Sequence, residues 1–234
     1  MPPPNSDSVA TQLISNDLKV QAMPTIGLEA TGQRALKIIP SFYDLAQAEN
    51  RLMIEWLIGD IKDDVRFSLA RILHSPTVRQ SFSLVIIDCA PRFTTSTIQA
   101  LAAGTHLLIP TVMDDPSAEA VVTFVRQVET FKTAGVCPFI QYIGVVGSLR
   151  RPGKIDGALK RLTERLAEFQ KPNGGGPLIN VLPEEMYLPQ SAHFANAVSE
   201  GGIAYIVMGN DAAERLVKDK INALAEYVRK VMKL

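Results

Sequence analysis

Cysteine is scarce in this chain of 234 residues: there are two, Cys89 and Cys137, both in apolar surroundings and without CxxC spacing. That excludes a disulfide framework. With three histidines, none followed by a ligand-type residue four positions on, a zinc site is not indicated either, and a reducing, cytoplasmic setting is expected. Net charge is also lacking, with 24 Lys+Arg against 24 Asp+Glu, so no global field draws in nucleic acid or acidic membrane. Any such binding has to come from a local patch. No apolar run approaches the roughly 18 residues of a membrane span. The proline-rich start "MPPPNSDSVATQ" lacks the charged-then-apolar order of a signal peptide and reads as a loose N-terminus. Two further absences concern chemistry. No GxSxG elbow supplies a nucleophile, and GxxxxGK followed by Ser or Thr, the loop whose amides and lysine close around phosphate, occurs nowhere. One approach to it, "GSLRRPGKID" (147–156), has one residue too many between its glycines and Ile155 where the hydroxyl belongs. It reads as a basic loop and helix start.

What is present is alternation. After an irregular segment 1–34, with a short strand at "LKVQAM", residues 35–40 read as a strand stopped by Pro40. A helix follows, with Leu45, Ala48, Leu52 and Trp56 at helical spacing, then another over 64–74 and a strand over 82–88, "FSLVIID". "TTSTIQALAAG" is a helix ending at Gly104, "THLLIP" a strand, and Asp115-Pro116 the capped start of a helix running to Gly135. Strand "FIQYIGVVGS", a charged helix over 153–170, strand "PLINVLP", a helix over 188–199 and an amphipathic helix over 211–232 complete the run. Strands apolar throughout, alternating with helices, predict a three-layer α/β fold with a mostly parallel sheet, in one domain over 35–234.

Open parallel sheets gather ligands at the carboxyl ends of their strands, which is where Asp88 falls. An aspartate leaving a strand also caps turns, so the residue alone does not decide between the two roles. Of the neighbours Asp114 and Asp115, the second, before Pro116, reads as a helix cap rather than half of a carboxylate pair. His74, His106 and His193 read as surface or packing residues. Basic residues concentrate over 150–171, seven against three acids, and over 211–234, six against four. Such charge is ordinarily a solvated helix face; the sharper reading is a salt-sensitive, sequence-independent grip on DNA through Arg150, Arg151, Lys154, Lys218, Lys220, Arg229 and Lys230.

The order of these segments resembles a known family. "LKIIPSFYDLAQAENRLMIEWL" followed by "FSLVIIDCAPRFTTSTIQALAAGTHLLIPTVMDDPSAEAV" is similar to the ParA-type partition ATPases of the ParA/MinD, deviant Walker group, over about residues 35–230. The resemblance implies a P-loop NTPase fold, ATP and magnesium as cofactors, and Asp88 as the Walker B-like carboxylate that supports magnesium through water. It further implies that Cys89 to Arg92 match a mobile segment and that "VLPEEMYLPQSA" is similar to the loop near the adenine, making Pro183 and Glu184 base contacts. The partners it implies are a second subunit across ATP, nonspecific DNA and a partition protein that stimulates hydrolysis.

The chain departs from that pattern. The family's KGGxGKT loop and its Asp-x-Asp-Pro segment are absent, and the residues before Ala35 are not expected to hold the missing strand, loop, helix and second strand. The expectation is a sheet lacking N-terminal strands, with the Asp88 strand left at an unpaired edge and its apolar surface exposed. Arg92 stands where the family commonly has a small serine. Three readings follow: a ParA-like chain with no ATP or magnesium of its own, an interaction module that docks on a ParA-like partner or on itself, and a nonspecific DNA-binding accessory.

Overall fold

The computed structural model describes residues 25–26, 36–37, 39, 41, 44–60, 62–90, 92–148, 156–171, 174–192, 194, 209 and 211–234. The chain divides into two compact units, one of residues 1–105 with 132–138, the other of 106–131 with 139–234. The expected strand at "LKVQAM" and half of the expected helix over 188–199, residues 193 and 195–199, lie outside the described residues.

In the first unit, β1 (Thr25–Ile26) pairs antiparallel with β2 (Leu36–Lys37). Helix α1 (Asp44–Leu57) buries Ala48 and Leu52, four residues apart on one face, with Leu45 packed against them. A 3-10 turn, Val65–Phe67, starts at Asp64, whose carboxylate accepts from the Arg66 amide at 3.0 Å and pairs with the Arg66 guanidinium. It leads into α2 (Ser68–Leu73). Next comes α3 (Pro76–Ser81), a short helix that the periodicity did not separate; its signal is local, Ser75 as N-cap with Pro76 at the first position. Helix α4 (Thr95–Ala103) sets Ala100 and Ala103 against Leu69 of α2, and the buried Gln99 donates through Nε2 to the Val65 carbonyl at 2.8 Å. His74, expected to be a surface or packing residue, is exposed, with its Nε2 2.8 Å from the Ala103 carbonyl.

The strand expected over 82–88 does not form. Residues 84–90 are irregular and join no ladder among the described residues, and Leu84, Val85, Ile86 and Ile87 are 40%, 46%, 83% and 36% exposed. The physical reason lies in the segment's own pattern. A stretch apolar on both faces is a strand only when neighbours pair its edges and helices cover its faces; without a ladder partner, apolarity alone leaves it open to water.

The second unit holds the parallel sheet. Strands β3 (His106–Val112) and β4 (Gln141–Ser148) run parallel from His106 opposite Gln141 to Val112 opposite Ser148, with one irregularity between Leu107 and Leu108. They are joined through α5 (Asp115–Thr133). Segment 179–182 joins the other edge of β4: Val181 bridges Val145 in parallel, the Val145 amide donates to Asn180 at 2.9 Å and the Leu182 amide to Val145 at 2.8 Å. A single bridge forms here among the described residues, where a full strand was expected.

Faces alternate along each strand. Ile109 and Val145 pack with Val121, Val122 and Val125 of α5 and with Leu162 and Leu166 of α6 (Asp156–Leu166). On the other face Leu108 and Val146 meet Leu182, Tyr187 and, from α7 (Ala212–Met232), Leu224 and Tyr227. Helices on both faces of a parallel sheet make the three layers that the sequence predicts. Each leucine fully buried by α6 contributes about 1.5–3 kcal/mol.

Helix ends follow capping chemistry, with one correction. The cap of α5 is Asp114, whose Oδ1 accepts from the Ser117 amide at 2.8 Å; Asp115 is instead the first helical residue and faces Arg161. Helix α7 opens on a capping box, the Glu214 amide donating to Asp211 at 2.9 Å and the Asp211 amide to Glu214 at 3.2 Å.

Candidate functional site

Asp88 sits in the irregular segment of the first unit, exposed, with Cys89 after it. The Cys89 thiol turns back toward the Ile87 carbonyl, 3.8 Å away. Desolvation of the thiol, and then the negative charge of Asp88, push its pKa above the ordinary 9.0, so it is protonated at neutral pH.

The segment is fastened where α4 begins. Thr94 is the N-cap, Thr97 donates through its hydroxyl to the Arg92 carbonyl at 2.9 Å, and Glu49 of α1 reaches across 47 residues to accept from the Ser96 amide at 2.9 Å and from the Ser96 hydroxyl. Burial of Glu49 raises its pKa, but hydrogen bonds from Ser96 and Thr94, with the charge of Arg92 nearby, outweigh that and hold it below the ordinary 4.5. Sequence reasoning missed Glu49. Its spacing within α1 marks no site, and only the fold brings it to α4.

In the second unit, Pro183 and Glu184 begin the 3-10 turn Glu184–Met186 beyond the third extended segment. This turn lies at the carboxyl end of β4, for the Leu188 amide donates to the Gly147 carbonyl at 2.9 Å. Tyr187, fully buried, lies over Gly147, and Lys220 of α7 donates to the Glu184 carbonyl at 3.0 Å. The turn is thereby tied to both the sheet and the last helix, in the position where such sheets gather ligands.

The basic residues are more engaged than their count suggests. Lys218 donates to the Gly209 carbonyl at 3.1 Å and Arg229 pairs with Glu226 at 3.0 Å, while Arg161 and Arg165 of α6 pair with Asp115 and Glu119 of α5. Those last pairs cross a groove of about 580 Å³ between the two helices. Arg150, Arg151 and Lys154 lie outside the described residues.

Among the described residues no three His, Cys, Asp or Glu side chains gather as metal ligands, Asp88 stands in an open segment rather than at a strand end, and the sequence contains no GxxxxGK loop. Among the described residues, no helix is long and apolar enough to cross a membrane.

The parallel sheet with helices on both faces defines an α/β protein of the P-loop NTPase type. Comparison with solved structures agrees. Apo McdA from Cyanothece superimposes with a TM-score of 0.71 at 16% identity, covering 97% of this chain and 80% of that one. An ATP complex of an McdA variant gives 0.70 at 16%, covering 97% and 77%. Cobyrinic acid a,c-diamide synthase from Mycobacterium smegmatis gives 0.59 at 14%, covering 98% and 76%. At such identities the likeness is one of fold. No curated protein matches in sequence. The sequence profile of the AAA domain family matches residues 5–140, more than half of the chain, and the chain belongs to that family. Family and fold together make it a relative of the ParA/MinD-type P-loop ATPases.

Proposed function

We propose that this chain is a ParA-type partition protein whose 234 residues do not by themselves hold ATP and magnesium in the family's usual way. The observation that carries the reading is the missing phosphate loop in a chain whose fold and family otherwise match. Phosphoryl transfer is catalysed mainly by positioning and electrostatic stabilisation, and the lysine and amide cradle that supply both are absent. Asp88 retains the magnesium-side role in sequence, and Pro183 and Glu184 retain the place of the adenine loop. Related structures were solved with ATP, with an ATP analogue and magnesium, and with ADP and magnesium, which makes ATP with magnesium the ligand to test. In equilibrium dialysis with Mg-ATP the expected result is no saturable binding up to millimolar nucleotide. Micromolar affinity abolished by Asp88→Ala would overturn the reading.

One observation favours a second role. The exposed apolar run Leu84–Ile87 suits pairing with a ParA-like subunit or a second copy of this chain. Replacing the most exposed residue, Ile86→Asp, is expected to change stability by no more than about 0.5 kcal/mol while lowering self-association in sedimentation velocity. A chain monomeric at high concentration with and without a ParA-type partner would remove this role. Nonspecific DNA binding through Arg150, Arg151, Lys154, Lys218, Lys220, Arg229 and Lys230 belongs to the same proposal, supported by the local charge excess alone.

A further inference from the structure

We infer that Glu49 is a latch: its carboxylate, fastened to the start of α4, governs the mobility of the chain that enters that helix, with Asp88 and Cys89 upstream of it. Its place in the fold carries the inference. Residues 84–90 gain no ladder bonds among the described residues, so the segment is not held along its length as a strand would be. Its downstream end enters a compact network, in which the Thr97 hydroxyl closes onto the Arg92 carbonyl, Thr94 caps the helix, and Ser96 presents both its amide and its hydroxyl to Glu49.

The bonds from Ser96 are what ties this network to a different helix. Helix α1 is itself seated by Ala48 and Leu52, so Glu49, adjacent to Ala48, is presented from a packed support rather than from a loop. A carboxylate at a helix start also meets the positive end of the helix dipole, and here it takes two donors from one residue. Arg92, at the beginning of the same network, adds a favourable charge. Glu49 is thus a positioning residue, acting on Asp88 and Cys89 through the α4 start. That this matters for a nucleotide or a partner rests on the reading of Asp88–Arg92 as the counterpart of the ParA mobile segment.

Cys89 provides a remote reporter, because it lies seven residues before Ser96 and its pKa is raised by desolvation and then by the charge of Asp88, whereas Cys137 is buried and reports global opening. The experiment compares the full chain with Glu49→Ala, Glu49→Gln and Ser96→Ala by amide exchange and by the pH profile of alkylation at each cysteine. For Glu49→Ala, exchange of the 94–98 amides is expected to rise about tenfold, the scale of losing a charged hydrogen bond. The Cys89 alkylation profile is expected to move down toward that of a solvated thiol, with Cys137 unchanged. Glu49→Gln, which keeps an acceptor, restores most of both effects. Faster exchange at 94–98 with an unmoved Cys89 profile would overturn the latch and leave only a local cap. Cys137 accelerating in parallel would overturn it as general destabilisation. If the Glu49→Ala chain does not fold, Ser96→Ala carries the same readings. Mg-ATP slowing Cys89 alkylation in the unaltered chain would count against the proposed function and not against the latch.

Discussion

Gly147 shows how much one missing side chain decides. A Cβ at this position would stand 2.6 Å from the Tyr187 ring, and Tyr187 is buried over β4. The close approach of the 183–188 segment to the sheet therefore depends on glycine here. Gly147→Ala is expected to cost about 1–3 kcal/mol in urea denaturation, the range for overpacking a filled core. Adding Tyr187→Leu should recover part of the loss, since the clash is with the ring. An unchanged midpoint for the single variant would mean that the turn shifts freely. The glycine was visible in "YIGVVGS", but nothing local says which ring it makes room for. Asp88, conversely, was legible from its place after "LVII", and so was the exposure of its segment, whereas the loss of the strand itself shows only in the fold.

At the scale of elements, carboxylates at junctions stand out. Glu49 ties α1 to α4. Asp64, held below the ordinary 3.8 first by its hydrogen bond from Arg66 and next, against that, raised by burial, caps the 3-10 turn before α2. Both pKa values are depressed in the folded chain, so the stability they contribute is complete above their unfolded values near 4.5 and 3.8 and is lost as pH falls through the lower folded values. Acid titration followed by circular dichroism should therefore show stability falling below about pH 4.5. Glu49→Gln should flatten the upper part of that fall; an identical profile would detach Glu49 from it. Element existence was mostly readable, because α1, α4, α5 and α7 carry helical periodicity and cap signals in their own sequence. Element state was less so: 82–88 and 177–183 read as equal strands, yet among the described residues the first joins no ladder and the second makes one bridge to β4.

For the whole molecule, zero net charge means that an affinity for DNA would come from local patches, and the fold spends part of those patches internally on Glu184, Gly209, Glu226, Asp115 and Glu119. If the proposed DNA contact exists, a chain with Arg150→Glu, Arg151→Glu, Lys154→Glu and Lys230→Glu should bind more weakly at low salt. Its dependence of log affinity on log salt should flatten by about one for each phosphate that is no longer neutralised. Unchanged affinity and slope would remove DNA from the reading. The sequence by itself determined the α/β alternation, the family resemblance and the lack of a phosphate loop, because these rest on periodicity and contiguous motifs. Only the tertiary structure decided that Leu84–Ile87 forms no strand, that Lys220 holds the 184–186 turn, and that Glu49 meets Ser96. Those outcomes depend on which partners arrive from distant parts of the chain, and no local pattern encodes a partner 36 or 47 residues away.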